Sequence, residues 1–548
     1  MPIREKELKT EGRYLAFPVR PHGGERHAFA SLWEVDTLLY EWFLDPDFEN
    51  PAFWTYCDMT RYGSRRLRLR LEDDRVTEEQ FASLDRADTY PGLTQLYHEP
   101  GRPQLHFSPA RGYISDPNGL FYYRGLWHIF FQHDIFNMGW VDWRDHVNMA
   151  WGHATSPDLV HWTETPDVLL PDERGPAFSG SGLVDTENVS GLQRGEDPPI
   201  LLYYTAAGGQ ARRTRGLQHV QCLAVSQDGG RSFHPYEHNP LIPFYAAGNR
   251  DPKIFWNPKL GAWMLITYTD DGERYLLYTS EDLLHFTYRT DFHWDNMECP
   301  DLLYLPVNGD PNRRQMVLWG ANGSYVPMDF DGEHFVPLGP AKKLQSDLLH
   351  SCGQTFHNAP DGRCVQMTVY RMAPGSVSSG CLTVPCDLTL HEKNGDFWLW
   401  AEPVPELRAL RIRSEEYTAW TVEGTRELPA SPLMEIELTM PLQDAVWTVN
   451  GLRITVDAAA RTLTAGGGTA PLPYSDTLRL RLWIDTVCCR IWESENRVSL
   501  EFGYPFTAPE LRAEGHLTVG RLTVHTLKSI WEDTPHSGDD REKGGSKQ

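Results

Sequence analysis

Long apolar runs are absent from this sequence. The opening residues, MPIREKELKTEGRYLAFPV, contain no apolar stretch of the length that a signal peptide needs. No stretch of about 18 apolar residues that would suggest a membrane span occurs elsewhere. We therefore expect a cytoplasmic protein without a membrane partner, or an extracellular one if an export signal was removed.

Paired cysteines and zinc-type histidine spacings are also lacking. The nine cysteines form no Cys-x-x-Cys motif and their number is odd, so neither a disulfide framework nor a zinc site is indicated. His128, His133, His146 and His153 fall close together, but their spacing matches no known zinc geometry and strand positions alternate between two faces. We expect no metal site.

Positive charge is scarce. The chain has 51 Lys and Arg against 75 Asp and Glu, which gives a formal net charge of −24, and no basic tract interrupts it. Such a field repels nucleic acid and anionic membrane surfaces. The balance excludes nucleic acid as a partner and fits a neutral substrate; it does not indicate an oligomeric state.

Helical periodicity is rare, and short strand-like runs bounded by Gly, Pro, Asn and Asp fill the chain. The sequence therefore predicts an all-β protein. The runs include Leu126 to Gln132, Ile200 to Thr205, Val220 to Ser226, Trp263 to Tyr268, Tyr275 to Thr279 and Gln315 to Trp319.

One short pattern occurs three times. The segment SPDLVHW at 156–162 resembles SEDLLHF at 280–286, and SQDGGRSF at 226–233 is a weaker copy. Each copy follows a predicted strand and precedes another. Recurring strand–turn–strand units of this kind are typical of propeller blades, which need neighbours to bury both faces.

Composition divides the chain into four regions. We predict an N-terminal β-rich accessory segment over 1–102, a propeller over 103–405, a β-sandwich over 406–531 and a disordered tail over 532–548. The proline-rich joint at 402–405 marks the second boundary.

Three acidic residues lie among turn-forming and aromatic residues. Asp116 precedes Pro117, Asp251 lies in a second Asp-Pro turn beside Arg250, and Glu298 lies among small and apolar neighbours, where desolvation would raise its pKa. Each also has a structural interpretation: an ordinary turn, an Arg–Asp pair and an exposed glutamate. Together they supply the carboxyl groups that a retaining glycosidase needs about 5 Å apart.

The order of these motifs resembles glycoside hydrolase family 32, which includes levanases, inulinases and invertases. The resemblance extends from the HFSP motif that begins at His106 to the TLKSIW motif that ends at Trp531. The motifs that carry it are HFSP at 106–109, YISDPNG at 113–119, WGHATS at 151–156, FSGS at 178–181, RDPK at 250–253, ECPD at 298–301 and TLKSIW at 526–531.

The resemblance implies a five-bladed β-propeller followed by a C-terminal β-sandwich, with no cofactor. It implies that Asp116 is the nucleophile, Glu298 the general acid and base, and Asp251 the stabiliser of the transition state. The positions that match the fructose pocket of the family are Ser115, Asn118, Gln132, Trp140, Phe178, Ser179 and Arg250.

The match departs from the family at the rim of the expected site. Ser115 replaces the usual Asn, and Ala150 replaces a usual His. The loop over 139–150 is longer than usual, so the pocket tryptophan is assigned to Trp140, with Trp143 and His146 as alternatives. The segment 349–355 also differs. We therefore expect the leaving-group side of the pocket, or the linkage that it accepts, to differ from that of a common levanase.

The sequence predicts an enzyme that releases fructose from β-linked fructans or fructo-oligosaccharides of the levan or inulin type. Two alternatives use the same chemistry: an invertase acting on sucrose, and a fructosyltransferase in which a sugar intercepts the covalent intermediate. A third, from another class, is a non-catalytic sugar-binding propeller. The presence of all three acids favours an enzyme.

Overall fold

The computed structural model describes most of the chain, and strands dominate it. Trp140, Trp143 and His146 lie outside the described residues, and so does the predicted tail after Glu532. No helix in the described part is long and apolar enough to cross a membrane. The described residues are 1–20, 28–138, 148–294, 298–344, 350–371, 377–472, 475–493, 499–504 and 506–532.

The helices of the described part are short. One α-helix, Glu78–Ser83, begins with a capping box in which the side chains of Thr77 and Gln80 each accept from the other's backbone N–H. The 3₁₀ helices are Thr60–Tyr62, Leu93–Gln95, Arg212–Thr214, Pro360–Gly362 and Pro405–Leu410.

The N-terminal segment forms two small sheets around its own core. Arg212 of the propeller binds this segment through two carboxylates, Glu41 at 2.7 Å and Glu72 at 2.8 Å. Phe136 and Met138, which follow a propeller strand, pack into the same core. The strands are Ile3–Glu7, Tyr14–Val19, Ala28–Glu34, Thr37–Leu44, Phe53–Asp58, Arg68–Glu72 and Arg86–Ala87.

The middle of the chain forms five four-stranded blades. Blade 1 comprises Gly112–Tyr123, Leu126–Asp134, Ala150–Ser156 and Thr163–Leu169; blade 2, Ala177–Val184, Ile200–Ala207, His219–Ser226 and His234–Pro235; blade 3, Arg250–Asn257, Ala262–Thr269, Arg274–Ser280 and Thr287–His293. Blade 4 comprises Asp301–Val307, Asp310–Trp319, Ser324–Phe330 and Phe335–Pro337; blade 5, His350–Thr355, Val365–Tyr370, Cys386–Lys393 and Asp396–Pro403. Short pieces at Lys342–Lys343, Ser378–Ser379 and Cys381–Leu382 add to the blades.

The first strands of the blades close into a ring. Each lies beside the first strand of the next blade, and that of blade 5 returns to contact that of blade 1. The predicted five-bladed propeller is thereby confirmed. Every blade buries apolar residues on both faces against its neighbours, which explains why the chain needs the full ring.

The sequence pattern that occurs three times is a turn of the blades. In all three copies a serine hydroxyl donates to the aspartate two residues later, from Ser156, Ser226 and Ser280. All three copies join the third and fourth strands of a blade. Blade 4 has a similar turn at Asp331, whose carboxylate accepts from two backbone N–H groups without the preceding serine.

The C-terminal region forms the predicted β-sandwich around a separate apolar core. Cys488 and Cys489, which begin one of its strands, are both fully buried. The domain boundaries stay predictions; the strands before and after 102/103 belong to different sheets, and so do those before and after 405/406. The strands are Arg411–Leu428, Met434–Pro441, Ala445–Val449, Leu452–Asp457, Thr462–Ala465, Gly468–Pro471, Thr477–Ile484, Cys488–Trp492, Ser499–Gly503 and Leu511–Leu527.

Asp485 joins the sandwich to the start of the propeller. Its buried carboxylate accepts from the backbone N–H of Gln104 at 2.9 Å and of Leu105 at 2.7 Å, and lies 2.8 Å from Nδ1 of His106. The indole of Trp531 adds a bond to the carbonyl of Pro103. The HFSP segment is therefore fixed from the sandwich side.

We expect Asp485→Asn to destabilise the protein by about 3 kcal/mol, because an amide in this position leaves buried donors and His106 without an acceptor. Thermal unfolding of the full chain measures the effect. Asp476→Asn, at an exposed position of the same sandwich, is the matched control. Equal melting temperatures for the two variants would contradict the role of Asp485.

Candidate active site

A single cavity at the centre of the ring collects most of the predicted site residues. Asp116, Asp251 and Glu298 all line it, and so do five of the seven predicted binding residues. The lining residues are Ser115, Asp116, Gln132, Met149, Phe178, Ser179, Arg250, Asp251, Glu298 and Arg371.

Strand irregularities place these side chains. The register of the first strand shifts around Asp116 in blade 1, Ser179 in blade 2, Asp251 in blade 3 and Cys352 in blade 5. Such bulges turn a side chain away from the regular alternation of a strand. In blade 4 the corresponding residue, Glu298, lies just before the first strand. All five blades therefore contribute at the same end of the ring.

Asp116 is held by hydrogen bonds and one cation. Its carboxylate accepts from the hydroxyls of Ser115 at 2.9 Å and Ser179 at 2.7 Å, and the guanidinium of Arg371 lies 3.6 Å away. Burial alone would raise its pKa, but Arg371 and these hydrogen bonds lower it below the ordinary value. Asp116 is therefore ionised at neutral pH, as a nucleophile requires.

Asp251 has the opposite electrostatic environment. Its side chain is 5% exposed, and one oxygen accepts from the backbone N–H of Cys299 at 3.1 Å. Burial, together with the charges of Glu298 and Asp116, raises its pKa to about 7. The sequence suggested an Arg–Asp pair between Arg250 and Asp251. The structure leaves the Nε of Arg250 3.8 Å away, and burial outweighs that attraction.

Glu298 binds the guanidinium of Arg250. Two nitrogens of Arg250 donate to the same oxygen, at 2.9 and 2.7 Å, and a third donates to the exposed Asp270. The sequence suggested a desolvated Glu298, but its side chain is 29% exposed and faces a cation. Arg250 therefore binds the carboxylate of a neighbouring blade, which the sequence did not indicate.

Lys253 and Asp301 connect the two motifs that supply these acids. The ammonium of Lys253, last in the RDPK motif, lies 2.7 Å from the fully buried carboxylate of Asp301, last in the ECPD motif. Asp301 also accepts from the backbone and hydroxyl of Thr355 in blade 5. The ion pair thus joins blades 3 and 4, and the hydrogen bonds of Asp301 join blade 5 to them.

Two thiols lie behind the acids. The sulfur of Cys299 is 3.4 Å from Asp116 and 3.5 Å from Asp251, and Cys352 lies next to Cys299 and Asp116. These groups could offer ligands to a metal only as thiolates. A hydrogen bond from Cys352 and burial raise the pKa of Cys299 well above its usual range, and burial raises that of Cys352 to about 12. Both therefore remain thiols at neutral pH and serve as packing and weak donors.

Asn118 lies behind the cavity wall. It is fully buried, and its carbonyl oxygen accepts from the backbone N–H of Gly180 at 3.1 Å, which connects blades 1 and 2. A Cβ at Gly180 would lie 1.9 Å from the carbonyl oxygen of Tyr203, so this contact requires glycine. The other predicted binding residue outside the lining, Trp140, falls outside the described residues.

Sequence reasoning missed three residues near the acids: Arg371, Met149 and Cys352. Arg371 follows the second strand of blade 5, and no motif distinguishes it from the other arginines. Cys352 lies in the segment 349–355, which departs from the family pattern. That departure indicated an altered site but assigned no role to Cys352. Met149 lies near the end of the long loop over 139–150.

Comparison with known proteins identifies the family. Residues 106–399 match the domain described as "Glycosyl hydrolases family 32 N-terminal domain". The chain belongs to glycoside hydrolase family 32. It is 30% identical to a levanase of Bacillus subtilis over 520 residues, which cover 83% of this chain and 73% of that protein. An extracellular exo-inulinase of Aspergillus niger is 34% identical over 276 residues, 44% of this chain and 50% of that protein.

Solved family 32 structures share the fold. The exo-inulinase of Aspergillus awamori superimposes with a TM-score of 0.70 at 21% identity, covering 79% of this chain and all of that one. A fructan 1-exohydrolase of Cichorium intybus has a TM-score of 0.65 at 18% identity, covering 79% and 98%. The N-terminal sheets precede the family 32 match, which begins at residue 106.

We expect Arg371→Met to move the acid limb of the kcat/KM profile to higher pH by about one unit. Arg371 lowers the pKa of Asp116, so its removal lets Asp116 take up a proton at a higher pH. The pH dependence of sugar release measures the shift. Arg124→Met, on an exposed turn, is the control; an unchanged acid limb in Arg371→Met would contradict this role.

We expect Asp251→Asn to raise the melting temperature at pH 8 by a few degrees and to lower kcat/KM by about 100-fold or more. Because the folded pKa of about 7 exceeds the ordinary 3.8, the contribution of Asp251 to stability is full below pH 3.8 and is lost as the pH rises through 7. The gain should therefore be small at pH 4. Asp270→Asn is the control, because Asp270 is 58% exposed and also binds Arg250. An equal gain in melting temperature at pH 4 and pH 8 would contradict the claim that buried, ionised Asp251 lowers stability.

Proposed function

We propose that the protein is a retaining glycosidase that releases fructose from β-linked fructans or fructo-oligosaccharides of the levan or inulin type. The observation that carries this proposal is the meeting of Asp116, Asp251 and Glu298 in one cavity of a family 32 propeller. The relatives named levanase and exo-inulinase support the substrate class.

In the first step, an oxygen of Asp116 attacks the anomeric carbon of the terminal fructosyl unit. The bond from that carbon to the bridging oxygen breaks, and Glu298 transfers its proton to the departing oxygen. The product is a covalent fructosyl–enzyme ester. Ser115 and Ser179, which hold the two oxygens of Asp116, orient the carboxylate for attack.

In the second step, Glu298 takes a proton from water, and the water oxygen attacks the same carbon. The ester bond to Asp116 breaks, which restores its carboxylate and releases fructose. Arg250, bound to Glu298 and Asp270, fixes the position of the acid relative to blade 3. We assign it to positioning and to contact with sugar hydroxyls.

Asp251 supports both steps as a hydrogen-bonding partner of the fructosyl hydroxyls. It lines the same cavity as the other two acids and contacts the thiol of Cys299, and its buried carboxylate gains a polar partner when a sugar enters. Positive charge that develops on the ring in the transition state favours ionised Asp251. The raised pKa of Asp251 therefore fits a carboxyl group whose role is to bind the hydroxyls of a bound sugar.

A second candidate uses sucrose as the main substrate, by hydrolysis or by transfer of fructose to another sugar. It is favoured by the altered rim, where Ser115 contacts the nucleophile and Cys352 lies behind it. An invertase of Schizosaccharomyces pombe is 27% identical over 440 residues. Assays on levan, inulin, sucrose and short fructo-oligosaccharides distinguish the candidates, with fructose and transfer products separated chromatographically.

We expect Glu298→Gln to lower kcat on the preferred substrate by about 10² to 10⁴, because the amide can neither donate a proton to the leaving oxygen nor activate water. Release of free fructose measures the loss. Glu281→Gln, on an exposed turn of blade 3, is the matched control and should retain full activity. If the unsubstituted protein releases no fructose from any of the four substrates, a non-catalytic sugar-binding propeller becomes the better interpretation.

A further inference from the structure

A second cavity lies apart from the active site. It measures about 230 Å³ and lies between the N-terminal sheets and the outer part of blade 1. Tyr14, Tyr40 and Tyr56 line it from the N-terminal side, and Glu164 and Asp167 from the fourth strand of blade 1. Two separately packed parts of the chain therefore enclose one pocket.

The charged groups that line this cavity already have polar partners, and Arg61 among them donates to the backbone carbonyl of Asp167. Arg13 lies 3.2 Å from Asp58, and His133 lies 2.7 Å from Asp167. Glu164 accepts from the hydroxyl of Tyr97 and from the backbone of Ala110, both at 2.7 Å. A charged ligand would have to displace one of these partners. The cavity thus favours an uncharged ligand.

Two tyrosines contribute hydroxyl groups to the cavity. Tyr40 and Tyr56 line it, Tyr40 is only 3% exposed, and neither hydroxyl makes a hydrogen bond to a described residue. A ligand with hydroxyl groups that enters the cavity can form hydrogen bonds with both. Their rings pack edge-on against Tyr14 or obliquely against Trp42, which gives the cavity rigid apolar walls.

We propose that this cavity is a second binding site for a neutral sugar, separate from the catalytic pocket. Uncharged polar donors set in aromatic walls suit the alternating hydroxyl and C–H faces of a sugar, and the volume suits about one ring. The choice of fructose as the sugar rests on the proposed function. The site itself rests on the cavity alone.

The two sites share a strand. Within Leu126–Asp134, Gln132 lines the catalytic pocket and His133 lines the second cavity, because successive residues of a strand point to opposite faces. His133 is fixed on both sides, by Asp167 and by the carbonyl of Arg111. A sugar in the second site therefore lies against the back of a strand that holds the catalytic pocket.

The test is binding of D-fructose by isothermal titration calorimetry to the full chain carrying Asp251→Ala and Glu298→Gln. These changes stop turnover and weaken the catalytic pocket. In this background, Tyr40→Phe and Tyr56→Phe each remove one hydroxyl and keep the ring. We expect each to weaken binding about three- to tenfold, and the double variant to weaken it further. Tyr304→Phe, on blade 4 away from both pockets, should not change binding.

Leu170→Trp, which enlarges a side chain that lines the cavity, should abolish binding. A crystal soaked in fructose should show the sugar beside Tyr40 and Tyr56. The proposal would be overturned if the variants Tyr40→Phe, Tyr56→Phe and Leu170→Trp all bound fructose as tightly as Tyr304→Phe does. It would also be overturned if fructose did not bind at all. Tighter binding of fructose 6-phosphate would overturn the neutral-ligand assignment.

The outcome is independent of the proposed function. Fructose release by the unsubstituted protein reports on the catalytic pocket, whereas the tyrosine variants report on the second cavity. Binding in the cavity without hydrolysis would refute only the function, and hydrolysis without binding in the cavity would refute only this inference.

Discussion

The site depends on the buried ion pair between Lys253 and Asp301. These residues end the RDPK and ECPD motifs, and their 2.7 Å contact holds the first strands of blades 3 and 4 together at the level of the cavity. Asp301 also binds Thr355 of blade 5. A buried pair of this kind is costly to break because the remaining charge would be left buried without its ionic partner. It therefore fixes the separation of Asp251 and Glu298, which lie two and three residues away.

Irregular backbone at the same end of the ring gives the acids their directions. Asp251, Cys299 and Cys352 all have left-handed φ values, between 53° and 60°, which non-glycine residues rarely adopt. Each costs of order 1–3 kcal/mol and persists only where packing over-determines it. The ring of first strands supplies that packing. These conformations thus lower the stability of this end of the propeller, and they direct the side chains of the site toward one another.

The three carboxylates are separated electrostatically as well as spatially. Arg371 and two serines lower the pKa of Asp116, whereas burial raises that of Asp251 to about 7. Arg250 binds Glu298. Asp116 and Asp251 therefore favour different protonation states, because neighbouring carboxylates cannot both ionise at low cost. The division suits a reaction in which one acid attacks, one transfers a proton and one stabilises charge.

The sequence by itself determined the all-β class, the repeated blade turn and the three acids, because local turn chemistry and strand periodicity are written in neighbouring residues. The motif resemblance then predicted the propeller and its central site. Only the tertiary structure decided that Arg371 faces Asp116, that Arg250 binds Glu298 and that Asn118 lies behind the wall. These contacts join residues tens to hundreds of positions apart, and burial and charge act through space, so no local pattern encodes them.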